Sequence, residues 1–434
     1  MNKSACLLLV LLQAVALAEE SPASDFRISG FGTLNLSRHD SEHATLRTAA
    51  QQANGVSDKW SFKNDTVLGV QTRYRPRENL DFTLQLLSRH NHKNNFDPQV
   101  DWAYVAWRAT PALSLRAGRF ITPMLMASDY RNVNYSNPWI RPPLEVYGLL
   151  TLNNVDGIDA IYKGVMGGMS YVVQPFMGKF ELHINNNGIV NYHRMAGINF
   201  TLQGEETLFR VAYMDSTHSL ENQFGVFNVN RSQINAPGCG GGPPGPPMPG
   251  VPVIPGPGCE VVYPGYTEVA NRLDVDRKRF DVFTVGGSYD NGSLLLQAEY
   301  VKRMTGSQVA SADAWYVGAG YRFGNFLPYA IVSRHKSDTD QYILAPAPAF
   351  SSRPPLVLRN SSTDQSSVSL GLRYDLRKNV ALKFQYDWLK PEPGRYGGTF
   401  GNGNLFPIVP PPQGKFLSEY GTVHVAAFSV DFVF

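Results

Sequence analysis

The last fourteen residues of the chain, 421–434, read GTVHVAAFSVDFVF and alternate apolar with other side chains. Successive side chains of a β-strand point to opposite faces, so Phe428 and Phe434 share one face. Ser429 and Asp431 share the other face. An apolar outer face and a polar inner face are typical of a strand in a transmembrane barrel. A soluble β-sandwich would show the same alternation with its apolar face in a core.

Segments with the same period of two recur along the whole chain. In residues 379–390, Leu382 and Phe384 alternate with Lys383 and Gln385. We count sixteen such segments, an even number, as closed bacterial barrels require. They are residues 25–38, 59–75, 79–89, 98–110, 112–120, 156–164, 168–178, 192–204, 206–217, 276–291, 293–304, 312–324, 326–336, 365–377, 379–390 and 421–434. The sequence therefore predicts an all-β fold, a transmembrane antiparallel β-barrel of about sixteen strands.

The connections between the predicted strands alternate in length. Those after even-numbered strands are short and polar, as in residues 76–78, 110–111, 291–293 and 377–379. Those after odd-numbered strands are mostly longer, and they include residues 39–58, 121–155, 217–275, 337–364 and 391–420. Outer-membrane barrels show this asymmetry, with short turns in the periplasm and long loops on the extracellular side.

Aromatic residues gather near the ends of the predicted strands. Their rings favour the interface between lipid and water, where they form a girdle around a membrane barrel. We expect the following residues to belong to that girdle: Tyr104, Trp315, Tyr321, Tyr374 and Trp388.

The first eighteen residues are predicted to be a cleaved secretory signal peptide. Lys3 precedes an apolar run, and Ala16 to Ala18 supply a small-residue cleavage site. The run is shorter than the ~20 apolar residues that a transmembrane helix needs. We therefore expect residues 1–18 to be removed and residues 19–434 to form a single barrel domain.

The two cysteines of the expected mature chain lie in its longest loop, residues 218–275. Cys239 and Cys259 flank residues 240–258, a stretch of glycine and proline that cannot build a packed core. In an oxidising compartment we expect these two thiols to form a disulfide at the base of the loop. The alternative is a pair of free thiols.

With these ends and this architecture, the chain resembles the Gram-negative general porin family of outer-membrane diffusion channels. Phe434, with Phe432 and Phe428 on the same parity, is similar to the signal by which such barrels are recognised for assembly. The resemblance implies a sixteen-stranded homotrimer in the outer membrane, with no cofactor or metal. It also implies that the loop after the fifth strand, residues 121–155, folds into the lumen as a constriction.

That loop reads ITPMLMASDYRNVNYSNPWIRPPLEVYGLLTLNNV and contains Asp129 and Glu145. In the porin family, acidic loop residues oppose basic wall residues, and the transverse field orients polar solutes. The resemblance therefore implies that these two carboxylates form the acidic side of the constriction. The loop departs from the family pattern because it is longer and lacks the compact glycine-bearing acidic motif.

Basic residues on the inward parity are the candidates for the opposing wall. Arg116, Arg210 and Lys383 lie near the middle of their strands, and Arg73 and Arg373 lie nearer a periplasmic turn. Arg or Lys facing lipid at the midplane costs roughly 2–4 kcal/mol, so these side chains indicate a water-filled interior. Each could instead be a solvated wall residue without effect on selectivity. The formal charge, +3 for the chain and +2 without the one lysine of the signal peptide, is too small to predict a selectivity.

The sequence favours a passive diffusion channel for small hydrophilic solutes or ions. Its expected partners are outer-membrane lipid and the barrel assembly machinery, and no nucleic acid. Inward glycines, namely Gly69, Gly118, Gly318 and Gly320, are expected to leave room inside. No nucleophile motif stands in a recognisable context, so an enzyme is not predicted. The alternative function is a structural or surface-interaction protein whose long loops bind a partner while the lumen is blocked.

Overall fold

The structure is a computed structural model that describes residues 26–42, 45–150, 152–184, 188–222, 225–226, 266–307, 309–338, 341–344, 356–359, 364–391 and 421–434. The predicted signal peptide, residues 1–18, lies outside these residues, as do Cys239 and Cys259. Cleavage and the disulfide therefore stay predictions. The described helices include none that is long and apolar enough to cross a membrane.

Sixteen long strands form the sheet within the described residues. They are β1 (Phe26–His39), β2 (Val67–Arg77), β3 (Leu80–Arg89), β4 (Gln99–Arg108), β5 (Leu113–Ile121), β6 (Asn154–Met166), β7 (Met169–His183), β8 (Ile189–Gln203), β9 (Thr207–Asn222), β10 (Lys278–Asp290), β11 (Leu294–Thr305), β12 (Ala312–Tyr321), β13 (Phe326–Ser337), β14 (Gln365–Arg377), β15 (Val380–Pro391) and β16 (Val423–Val433). Each predicted segment corresponds to one of them, so the predicted fold class is confirmed. The largest boundary error is at residues 59–66, which belong to the loop before β2. Asp65 has a φ of 57° there, which an extended strand excludes.

β1 closes the sheet into a barrel. It pairs antiparallel with β2 and with β16, where Leu36 lies opposite Phe428. The Phe434 amide donates to the Gly30 carbonyl at 2.9 Å, and the Gly30 amide donates to the Phe434 carbonyl at 2.8 Å. Closure leaves the sheet without an edge, as lipid requires, because backbone groups cannot bond to water there.

The two faces of the wall follow the predicted parity. On β16, Phe428 and Val430 are 46% and 39% exposed, whereas Ser429 and Asp431 are 4% and 0% exposed. The outer surface is therefore apolar, as lipid contact requires, and the polar side chains point into the barrel.

Tyr104 is a correction to the predicted aromatic girdle. It lies opposite Thr83 of β3, whose side chain points inward. The Tyr104 ring packs inside the barrel, with the guanidinium carbon of Arg116 at 5.1 Å from the ring centroid. The prediction failed because a position near a strand end does not decide which face a side chain occupies. Trp315 and Tyr321 are exposed on the outer surface.

Short turns and long connections alternate as predicted. The turns after β2, β4, β6, β8, β10, β12 and β14 contain two to four residues. The connections from β1 to β2 and from β5 to β6 span residues 40–66 and 122–153. The second contains α1 (Leu144–Tyr147), and the connection after β9 contains α2 (Tyr266–Leu273). The remaining short strands are Gly225–Val226, Gln341–Leu344 and Leu356–Arg359.

The expectation that inward glycines leave open space is wrong at Gly69 and Gly318. The Phe31 ring lies over Gly69, so a Cβ at that position would overlap the ring. Trp139, from the connection between β5 and β6, lies 3.5 Å from where a Gly318 Cβ would stand. These glycines make room for neighbouring aromatic side chains, because a residue without a Cβ allows a ring to approach the backbone.

Candidate pore and the loop inside it

The connection between β5 and β6, residues 122–153, lies inside the barrel, and we refer to it as the lumen loop. Prolines at 123, 138, 142 and 143 remove backbone donors and prevent pairing as a strand. The loop forms only short helical turns, at Ser128–Tyr130, Asn134–Ser136 and α1. Side chains of the barrel wall satisfy many of its backbone groups instead.

The first part of the lumen loop is anchored to β9 and β11. The Met126 amide donates to the Glu299 carboxylate at 2.7 Å. Arg210 Nη1 donates to the Leu125 carbonyl at 2.7 Å, and its Nη2 lies 3.1 Å from Asp129 Oδ2. The Asp129 side chain stays 52% exposed. The predicted acidic residue and one predicted basic residue thus form an ion pair, and the same arginine holds the loop backbone.

The middle part is anchored to β14, β15 and β16. Lys383 Nζ donates to the carbonyls of Asn134 and Asn137 at 2.6 and 2.7 Å, and it pairs with Asp431 at 2.8 Å. Arg373 Nη1 also donates to the Asn137 carbonyl, at 3.0 Å. Lys383 is buried, so its ammonium faces the underside of the loop instead of open water.

The last part, around α1, is anchored to β13 and β14. Glu145 accepts hydrogen bonds from Ser333 Oγ and Gln365 Nε2, both at 2.6 Å. The Glu145 side chain is 2% exposed and forms no ion pair within the described residues. Burial therefore raises the pKa of its carboxyl group. Glu145 fixes the position of α1 against the wall.

An apolar cluster fills one side of the lumen. Met124, Leu125 and Tyr147 of the lumen loop belong to it together with Met195 and Tyr316 of the wall. Each of these five side chains is at most 2% exposed, and the wall residues of the cluster come mainly from β7 to β13. A close-packed apolar region of this kind holds no water. The lumen is therefore filled where these side chains pack.

A polar cavity of about 80 Å³ lies on the other side, between the lumen loop, residues 40–66 and the extracellular ends of β2 and β3. Arg89, Arg131 and Arg141 line it together with Asp65. Arg141 pairs with Asp65 and with Asp387 of β15, each at 2.8 Å. Arg89 and Arg131 form no ion pair with any described carboxylate. Two of the three arginines of the cavity therefore lack an ion-pair partner among the described residues.

The other predicted basic residues have partners on the wall. Arg116 Nη2 lies 2.5 Å from Asp159 Oδ2 on the neighbouring β6. Arg73 Nη2 lies 2.9 Å from Asp81 Oδ2 on β3, near the periplasmic rim. These arginines do point into the barrel, but they do not meet the lumen loop in the way that Arg210, Arg373 and Lys383 do.

Sequence reasoning missed the three arginines of the cavity as lining residues. Arg89 is the last residue of β3 and shares the inward parity of Asp81 and Gln85, so the rule used for the other strands could have found it. Arg131 and Arg141 lie in the lumen loop. An irregular loop has no periodicity that indicates which way a side chain points.

A closed barrel of sixteen antiparallel strands, apolar outside and with a loop held in its lumen, defines the class as transmembrane β-barrel channels. A family profile described as Gram-negative porin matches residues 262–392, which contain β10 to β15. This match supports the predicted resemblance to Gram-negative porins, and with the closed barrel it confirms the predictions of an outer-membrane location and a diffusion channel. The fold and the matched profile are those of channels.

Solved outer-membrane proteins share the fold at low sequence identity. In-vitro folded OmpT of Vibrio cholerae, in a trimer form, is 12% identical with a TM-score of 0.52, over 94% of this chain and 99% of that chain. OmpF of Salmonella typhi, in complex with daunomycin, is 12% identical with a TM-score of 0.52, over 94% and 97%. An anion-selective porin from Comamonas acidovorans is 10% identical with a TM-score of 0.50, over 94% and 100%. At these identities the likeness shows the fold alone. Curated protein sequences gave no match.

Proposed function

We propose that solutes pass through the barrel by passive diffusion on the side of the lumen loop that faces β1 to β4, beside the point where Val133 of the loop packs against Phe31, Val67 and Leu87 of the wall. The observation that carries this proposal is the asymmetry of the lumen, with an apolar cluster on one side and a polar cavity on the other. Small hydrophilic solutes need a polar lining that can replace part of their hydration shell. Passage involves no chemical step, so under this proposal the chain is not an enzyme.

The inward faces of β1 to β4 support this route. Gln85 Nε2 on β3 donates to Gln71 Oε1 on β2 at 3.0 Å. Thr33 Oγ1, Asn35 Oδ1 and Trp102 Nε1 are buried without a hydrogen-bond partner among the described residues. Buried polar atoms of this kind are normally bonded to ordered water. They are consistent with a hydrated path along this wall.

The periplasmic end of the route carries excess positive charge. Arg73, Arg75 and Arg108 all bond to Asp81, at 2.9, 2.7 and 2.6 Å. Three guanidinium groups around one carboxylate leave a charge of +2. A positive mouth raises the local concentration of anions. We therefore propose a modest preference for anions that decreases at high ionic strength.

The proposal keeps Asp129 as an acidic residue of the constriction, because its exposed carboxylate beside Arg210 lies on the lumen loop. It assigns Glu145 the positional role described above. It also includes a homotrimer, since OmpT of Vibrio cholerae, which shares the fold, is described in a trimer form. Chemical cross-linking of isolated outer membranes should then yield products up to three chains.

Cysteine labelling combined with single-channel recording tests the route. In a background with Cys239→Ser and Cys259→Ser, Gln71→Cys places a thiol on the proposed route, and Val301→Cys places one in the apolar cluster. A charged methanethiosulfonate reagent should lower the single-channel conductance of Gln71→Cys and leave the matched control Val301→Cys unchanged. The opposite pattern would overturn the route.

The same recordings separate the two functions that the sequence left open. Open, steady channels from folded protein support diffusion. A silent bilayer from a demonstrably folded barrel would favour the surface-interaction alternative, whose main candidate, the proline-rich stretch of residues 240–258, lies outside the described residues.

A further inference from the structure

Two of the basic side chains that line the polar cavity beside the lumen loop form no ion pair with a described carboxylate. Arg141 is paired with both Asp65 and Asp387, whereas the other two lining arginines, Arg89 and Arg131, have no ion-pair partner among the described residues. We propose that the cavity is a binding site for a small oxyanion, a carboxylate or a phosphate group, on the solute route. The inference rests on the proposed diffusion channel and names the class of solute that the channel favours.

Arg141 provides a buried and rigidly held hydrogen-bond donor in the lining of the cavity. Its side chain is 4% exposed, and two of its nitrogens are fixed by Asp65 and Asp387 at 2.8 Å. Its third nitrogen, Nη2, is buried without an acceptor among the described residues. A buried guanidinium donor without an acceptor is costly, since it has lost its water. An oxyanion in the cavity would supply the acceptor.

Arg131 is held in place by neutral groups. Its Nη1 donates to Asn153 Oδ1 at 2.6 Å and its Nη2 to the Tyr147 carbonyl at 3.0 Å. The guanidinium carbon lies 5.5 Å from the Tyr147 ring centroid. These contacts fix the orientation of the guanidinium but do not cancel its charge.

Arg89, at the end of strand β3 in the barrel wall, is likewise held by a neutral group. Its contact among the described residues is a long one, from Nη1 to Asn132 Oδ1 at 3.5 Å. The positive charge of Arg89 is close enough to disfavour that of Arg131. Two like charges held together by neutral partners attract an anion. The planar guanidinium group matches the paired oxygens of a carboxylate or phosphate.

Asp101 of β4 limits the affinity of the site. Its carboxylate accepts a hydrogen bond from Asn132 Nδ2 at 3.2 Å, and no ion pair joins it to Arg89 or Arg131. It lowers the positive potential but leaves guanidinium donors available. We therefore expect weak, readily reversible binding. A channel needs this, because a solute that is bound tightly blocks the path.

Line broadening in NMR spectra provides the test, with ³¹P-observed inorganic phosphate and ¹³C-acetate as probes. Each anion is titrated against the full detergent-solubilised chain at constant ionic strength. The test variant combines Arg89→Gln with Arg131→Gln, and the matched control is Arg194→Gln, an arginine exposed on the outer surface. We expect saturable broadening for wild type and control, and at least tenfold weaker binding for the double variant. Tenfold corresponds to about 1.4 kcal/mol.

The outcomes separate the site from the channel. Broadening by acetate alone identifies a carboxylate site, broadening by phosphate alone a phosphate site, and broadening by both a general oxyanion site. No saturable broadening by either anion, or equal broadening with the double variant, overturns the site. A protein that binds an anion but never conducts in a bilayer overturns the diffusion channel and keeps the site. A protein that conducts in a bilayer but binds neither anion overturns the binding site and keeps the diffusion channel.

Discussion

Lys383 Nζ lies 2.8 Å from Asp431 Oδ2, and both side chains are fully buried between β15, β16 and the lumen loop. The same ammonium group donates to loop carbonyls at Asn134 and Asn137. This ion pair therefore joins the barrel wall to the loop. Removing one partner of a buried pair is strongly destabilising, because the other charge remains buried without compensation.

Lys383→Met should release the middle of the lumen loop. We expect a loss of about 3–5 kcal/mol, the usual cost of breaking a buried ion pair. Hydrogen exchange of residues 134–139 should accelerate, while Lys390→Met, on the outer face of the same strand, should leave it unchanged. Adding Asp431→Leu to Lys383→Met should recover much of the lost stability. Equal exchange in the wild type and Lys383→Met would contradict the anchoring role.

Glu145 should make the docking of α1 depend on pH. Burial raises the pKa of its carboxyl group in the folded chain, so folding favours the protonated form. The stabilisation is fully present below the unfolded pKa and is lost as the pH rises through the higher folded pKa. Hydrogen exchange of residues 144–147, corrected for intrinsic rates, should therefore increase with pH. Glu145→Gln should remove this dependence, and the exposed control Glu268→Gln should not. The same pH slope in Glu145→Gln and wild type would disprove the assignment.

Gly69→Ala should impair folding of the barrel. The added methyl group would overlap the Phe31 ring, and the rigid backbone of β1 and β2 leaves the ring little space to move. Gly287→Ala is the matched control, because a Cβ there would lie 3.4 Å from the Leu208 carbonyl oxygen, an ordinary contact. The folded fraction can be measured by the heat-dependent shift of the barrel in gel electrophoresis. Adding Phe31→Ala should restore folding of Gly69→Ala, and failure to do so would point to another cause.

Phe434→Ala should reduce assembly of the barrel in cells more than it reduces refolding of the purified chain in detergent. If the terminal ring is an assembly signal, the variant should be depleted in the outer membrane. Refolding of the purified chain should change less, because the bonds between residues 434 and 30 are made by the backbone. Phe323→Ala, exposed near the periplasmic rim, serves as the control. Equal losses of Phe434→Ala in both assays would indicate a purely structural role.

The strand number and the inward or outward direction of most wall residues could be predicted from the sequence. Both follow from a period of two, a local property that survives in a one-dimensional pattern. The pattern extends β2 to residues 59–66 because it does not record backbone angles such as that of Asp65. The space at Gly69 could not be predicted either, since Phe31 reaches it from another strand.

The sequence provides the least information about which residues form ion pairs and hydrogen bonds with the charged side chains. Arg210 was correctly placed on the inner face, but its contacts with Leu125 and Asp129 depend on how the lumen loop crosses the barrel. The sequence indicates Glu145 only by its charge and its position in that loop. Its burial beside Ser333 and Gln365 is set by residues almost two hundred positions or more away. Contacts of such long range leave no signature in a single sequence.

The lumen loop also has a mechanical consequence. It bonds to Glu299 on one side of the barrel and to Lys383 on another, with Arg141 linking it to Asp387. Lateral pressure from the membrane tends to flatten a circular barrel into an ellipse. Flattening changes the distances between these attachment points, so it must stretch or break charged hydrogen bonds inside the barrel. The cross-section is therefore braced from within by these bonds.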